Sequence, residues 1–257
     1  MGIFIICLLA FLTAVLTFFS GFGLGTILMP VFAIFFPIEI AIALTGVVHF
    51  FNNLFKMSLV GKRADREVLL KFGIPAILAS FTGAWLLLRI TKMPSLLEYH
   101  LWDKNFEITP VKLIIAILLI IFSLPDILPA VQKVQFSRNK LALGGVLSGF
   151  FGGLTGIQGA IRSAFLIKSG LSKEAYIATG VVIASLVDFT RLSVYASRFK
   201  KANLDDHMIL IISATLAAII GAFIGNKLLR KVTLRFVQVL VAIMLFLIAI
   251  ALGAGIL

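Results

Sequence analysis

Polar groups at helical spacing inside an apolar run are the part of this sequence that could do chemistry. His49, Asn52, Asn53 and Lys56 fall at i, i+3, i+4 and i+7 in a stretch opening on Thr45-Gly46-Val47-Val48. One helical face therefore carries an imidazole, two amides and an ammonium. A second stretch, opening on Thr179-Gly180-Val181-Val182, supplies Asp188 and, three residues later, Arg191. A third cation, Arg162, follows the break Thr155-Gly156-Ile157-Gln158-Gly159. Such groups cost several kcal/mol inside a bilayer unless they are paired or face a cavity, so each is a functional candidate. Arg162, Lys56 and Arg191 are of the types that hold an anion, and Asn52, Asn53 and Gln158 can donate to its oxygens. Histidine exchanges protons nearest neutral pH, which makes His49 a candidate for proton coupling. Asp188 is spaced to pair with Arg191 and is a candidate for gating. Each also has a plainer reading: the two long cations can snorkel to headgroups, and the imidazole and amides can join neighbouring helices.

The elements that position these groups lie in a membrane. Of 257 residues, 61% are hydrophobic, and the mean hydropathy of +1.13 excludes an ordinary soluble domain. Apolar runs of roughly 18 residues or more recur along the chain. The net charge of +12 sits mostly in short loops between these runs, the pattern of orientation signals rather than of a nucleic-acid surface. The lone Cys7 excludes an internal disulfide and a cysteine-held metal. Neither metal nor cofactor is expected. The N-terminal run lacks a positive n-region and a cleavage site, so it is expected to stay as a span.

Residues 2–36 would be about 52 Å long as one helix, against an apolar thickness of roughly 30 Å. Ser20-Gly21-Phe22-Gly23-Leu24-Gly25 breaks them into a hairpin whose second arm is short enough to be re-entrant. Spans follow at about 39–60, 68–90 and 110–128, with a polar interfacial stretch at 92–110. A second broken segment at 141–170 precedes spans at about 173–196, 207–227 and 235–256. The matches run residue by residue. Ser20-Gly21 answers Thr155-Gly156, Lys56-Met57-Ser58 answers Arg191-Leu192-Ser193, and Gly83-Ala84-Trp85 answers Gly221-Ala222-Phe223. The expected fold is an all-α polytopic membrane protein of two inverted repeats, each a broken or re-entrant helical hairpin plus three transmembrane helices. The first repeat covers 1–129, a basic linker 130–139 and the second repeat 140–257. With three spans left in each half, the distribution of basic loops favours inverted halves and both termini outside.

Discontinuous helices in inverted repeats leave half-helix N-termini near the midplane, an electropositive setting for an anion. Ser20, Gly21, Thr155 and Gly156 are then candidate contacts beside Gln158 and Arg162; the plainer reading is that the glycines only let helices pack closely. Two halves that each carry a hydroxyl-glycine break followed by a Thr-Gly span resemble the sulfite exporter TauE/SafE family, also called the toluene sulfonate uptake permeases. The resemblance implies movement of sulfite, sulfoacetate or another organosulfonate across the cytoplasmic (inner) membrane. Gly23-Leu24-Gly25-Thr26 and Ile157-Gln158-Gly159-Ala160 depart from the glycine triplets commoner there, so that Gln158 and Arg162 mark either a different anion or a tuned site.

The expectation is a secondary transporter rather than an enzyme, with a small anion and the bilayer as partners and a homodimer as an allowed assembly. An anion channel is the nearest alternative. An intramembrane enzyme would use His49 and Asp188, but no His-Glu-x-x-His or Gly-x-Ser-x-Gly motif accompanies them. A structural subunit would have no use for Lys56, Arg162 and Arg191 inside the membrane.

Overall fold

The structure is a computed structural model that describes residues 2–18, 23–101, 104–128, 135–199, 207–228 and 234–257. The chain is an all-α polytopic membrane protein. Helices α1 (Gly2–Thr17), α2 (Leu24–Ala33) and α3 (Ile38–Val60) come first. They are followed by α4 (Arg66–Ile90) and α5 (Pro110–Ile127). Beyond the linker come α6 (Leu141–Thr155), α7 (Gly159–Leu166), α8 (Lys173–Phe199), α9 (Met208–Leu228) and α10 (Leu234–Gly253). Among the described residues, the rods containing α3, α4, α8 and α9 are long and apolar enough to cross a bilayer by length and composition.

The side-chain distribution is that of a protein in lipid. Phe4, Leu78, Phe81, Phe189, Ile209 and Leu247 stand exposed on the outside. The buried polar groups include every functional candidate named above except Ser20, Gly21 and Gly156. Lipid is as apolar as leucine, so close backbone approach holds such helices together. On α6, a Cβ at Gly145, Gly149 or Gly153 would run into the carbonyl oxygens of Phe72, Ala76 and Ser80 on α4. A Cβ at Gly83 would in turn strike the Phe150 carbonyl. The contact of α9 with α1 is built alike: Gly221 lies against the Phe11 carbonyl and Gly225 against that of Val15. Partners are thus exchanged along the chain: α1 packs on α9, α4 on α6, α3 on α8 and α5 on α10.

Two local features depart from the sequence expectation. The stretch at 92–110 holds an antiparallel hairpin, β1 (Leu97–Leu101) with β2 (Lys104–Ile108). Tyr99 stacks on Phe106 and donates its hydroxyl proton to the Ala254 carbonyl, tying the hairpin to the end of α10. In α4 the turn Leu69–Gly73 is a π-helix. It directly precedes Pro75, whose ring excludes the ordinary bond to the carbonyl four residues back.

Candidate functional site

The second break is narrower than its glycine content suggests. Helix α6 runs on through Gly149, Gly152 and Gly153 and stops at Gly156, whose φ of +81° ends it in the left-handed region. Thr155 holds the stop: its hydroxyl donates to Phe151 O at 2.9 Å and accepts from Ile157 N at 3.1 Å. That hydroxyl is consumed by the backbone. After Gln158 the chain turns into α7, only eight residues long. The first break leads into α2 through Gly23, at φ +120°. Pro30 removes the helical bond that would have held the Thr26 carbonyl. Ser20 and Gly21 lie outside the described residues.

The two breaks meet. A Cβ on Gly25 would sit 3.3 Å from Gly156 O and 3.5 Å from His49 Cδ2. Between the starts of α2 and α7 is a cavity of about 10 Å³ lined by Gly23, Gly25, Thr26, His49, Gly156, Gln158, Gly159 and Arg162. That is the room of one water molecule at most. Both helices begin beside this cavity, and residues of both first turns line it.

Around the cavity lies a buried charged cluster. Asp188 on α8 is its hub. Its Oδ1 takes Arg191 Nε at 2.9 Å and pairs with Arg191 Nη2 at 2.9 Å. Its Oδ2 lies 2.6 Å from His49 Nδ1 and accepts from Asn53 Nδ2 at 3.5 Å. An ionised carboxylate at that distance needs the imidazole proton on Nδ1, which leaves the Cδ2 edge of the ring turned to Gly25. Lys56, one turn beyond Asn53, keeps its ammonium 5.4 Å from the centre of the Phe18 ring and feels the charge of Arg162. Neither Lys56 (6% exposed) nor Arg191 (0%) reaches the surface. Asn52 is fully buried with neither amide atom hydrogen-bonded, and Gln158 is in the same state.

The structure therefore brings Arg162, His49, Gln158 and Gly156 to one cavity and joins His49, Asn53, Asp188 and Arg191 in a network beside it. Ser163 and Ser185 point elsewhere, the first accepting from the Tyr176 hydroxyl and the second donating to Val181 O. Several participants escaped the sequence reading. Thr26, Gly23 and Gly25 line the cavity, and Tyr195 donates to Gly153 O, fastening α8 to α6. The two Thr-Gly pairs make room for the guanidinium groups. A Cβ on Gly46 would lie 3.2 Å from Arg191 Cζ, and one on Gly180 would lie 3.5 Å from Arg162 Nε. Their signal was present as the repeated Thr-Gly-Val-Val, which marked the repeat but not the purpose.

Such a fold, with cations and helix ends gathered inside an apolar shell, defines a multi-pass membrane protein with an internal polar site. The chain matches the family model described as sulfite exporter TauE/SafE over residues 6–252 and belongs to that family, one of membrane transporters. No curated protein and no solved structure matches it.

Proposed function

We propose that the protein is a secondary transporter of a small sulfur-containing anion, sulfite or an organosulfonate such as sulfoacetate, in the cytoplasmic membrane. The observation that carries this reading is the charge balance of the interior. Among the described residues, Lys56, Arg162 and Arg191 are buried against one buried carboxylate, Asp188. A surplus of buried cations at such depth is unfavourable, and an anion bound among them offsets it. The starts of α2 and α7 beside the cavity add a setting that favours an anion. The family supplies the sulfur chemistry.

The exchange of helix partners supports two inverted repeats related about the cavity. Gly83 and Gly221, matched in sequence, each press on a phenylalanine carbonyl of the partner helix. A cavity with room for no more than one water is too small for the anion, so the anion enters when one half rocks against the other. This favours alternating access over an open pore. His49 is the candidate for coupling to protons. The charged groups around it are Asp188 and Arg191 from α8, Arg162 from α7 and Lys56 from its own helix. An acid–base enzyme would use the same His49–Asp188 contact, but Arg191 and Asn53 already occupy that carboxylate.

Flux of radiolabelled sulfite into proteoliposomes tests the proposal. The purified protein is expected to carry sulfite, and Arg162→Ala to lower the flux about 100-fold, the size of one lost buried charged contact to the anion, in protein shown to be folded by its melting profile. Wild-type flux from a folded Arg162→Ala protein would remove Arg162 from the site.

A further inference from the structure

We infer that Gln158 makes the site prefer sulfur-containing anions that carry their own hydrogen-bond donor, a hydroxyl or N–H beside the anionic group. The inference rests on the anion-transport reading and narrows its substrate class. Gln158 occupies the N-cap position of α7 and lines the cavity between the two breaks. Its backbone carbonyl is fully used, accepting from Ser148 Oγ at 3.2 Å and from Arg162 N at 3.0 Å. Its side chain is not. At 2% exposure it keeps both Nε2 and Oε1 buried without a hydrogen-bond partner. The chain is held close to α6, since a Cβ on Gly152 would lie 2.9 Å from Gln158 Cβ and 3.5 Å from Cδ. Gln158 is at the same time among the residues that line the cavity.

The balance of donors and acceptors gives the consequence. Arg162 can only donate, and so can the first-turn N–H groups of α2 and α7. The oxygens of a sulfonate or sulfite satisfy all of these and Gln158 Nε2 as well. They cannot satisfy Gln158 Oε1, which is an acceptor. An aprotic anion such as an alkanesulfonate seals that oxygen away from water with nothing to bind it, whereas an anion bearing O–H or N–H completes it. Leaving one buried acceptor unpaired costs about ten-fold or more in affinity. A site built to meet a hydroxyl discriminates against the methyl analogue far better than an apolar pocket does the reverse.

Competition with labelled sulfite flux in proteoliposomes tests this, using 2-hydroxyethanesulfonate and propane-1-sulfonate as probes. The two carry the same single charge and differ by a hydroxyl against a methyl group. The wild-type protein is expected to be half-inhibited by 2-hydroxyethanesulfonate at a concentration about ten-fold or more below that of propane-1-sulfonate. Gln158→Met is expected to bring the two together by weakening 2-hydroxyethanesulfonate alone. A wild-type ratio near one, or a ratio preserved in Gln158→Met, overturns the assignment. If Gln158→Met does not fold, Gln158→Leu replaces it, and the wild-type ratio decides without any variant. Failure of the wild-type protein to carry sulfite at all overturns the transport reading itself, whereas sulfite flux with a ratio near one overturns this inference alone.

Discussion

At the scale of single residues, the interior holds more buried cations than buried carboxylates among the described residues. Asp188 is bound by Arg191, His49 and Asn53, and Lys56 and Arg162 are buried as well. His49 is placed to report on that balance, touching Asp188 through Nδ1 and lining the cavity. With His49 as the coupling group, flux of 2-hydroxyethanesulfonate, which stays fully ionised, is expected to change with pH in the wild-type protein and to lose that dependence in His49→Gln, measured at equal sulfonate concentration on both sides. The same pH profile in both proteins would take His49 out of the coupling. These residues were legible because a 3.6-residue period places His49, Asn52, Asn53 and Lys56 on one face whatever the tertiary fold. The Asp188–Arg191 pair followed from spacing for the same reason. The contact of His49 with Asp188 could not be read, since it joins helices far apart in the chain.

At the scale of elements, the glycines divide by task in a way that composition hides. The run from Gly149 to Gly159 reads as one break, yet Gly149, Gly152 and Gly153 lie inside α6 and only Gly156 needs a positive φ. Gly149 is required by the neighbour: a Cβ there would overlap the Ala76 carbonyl on α4. Gly149→Val is accordingly expected to lower the thermal stability of the detergent-purified protein by the equivalent of roughly 2 kcal/mol or more. Val146→Ala, at a lipid-facing site nearby, is expected to stay within about 0.5 kcal/mol. Equal melting of the two variants would contradict the close contact of α4 with α6. Sequence alone cannot tell a glycine needed for a turn from one needed by another helix. The hairpin of β1 and β2 had a signal in the alternation of Leu97, Tyr99 and Leu101, which the membrane context obscured.

At the scale of the whole molecule, the pairing of α1 with α9, α4 with α6, α3 with α8 and α5 with α10 brings the two breaks together around a cavity too small for an anion. The orientation proposed from the distribution of basic loops puts both termini outside. A phosphatase that is active only outside the cytoplasm, fused after Leu257, is therefore expected to be active, and a fluorescent reporter that matures only in the cytoplasm to stay dark there. The opposite pattern would reverse the orientation. The arrangement into membrane spans was readable because hydropathy and span length act locally, whereas the meeting of the two breaks depends on how the halves fold together. The central claim is that the buried positive charge exists to hold an anion. Equilibrium binding of radiolabelled sulfite to the detergent-purified protein addresses it most directly. The account predicts saturable binding to the wild-type protein, about ten-fold weaker in Lys56→Gln, where one buried positive charge is gone. Absence of binding to the folded wild-type protein, or equal affinity in the folded Lys56→Gln protein, would contradict it.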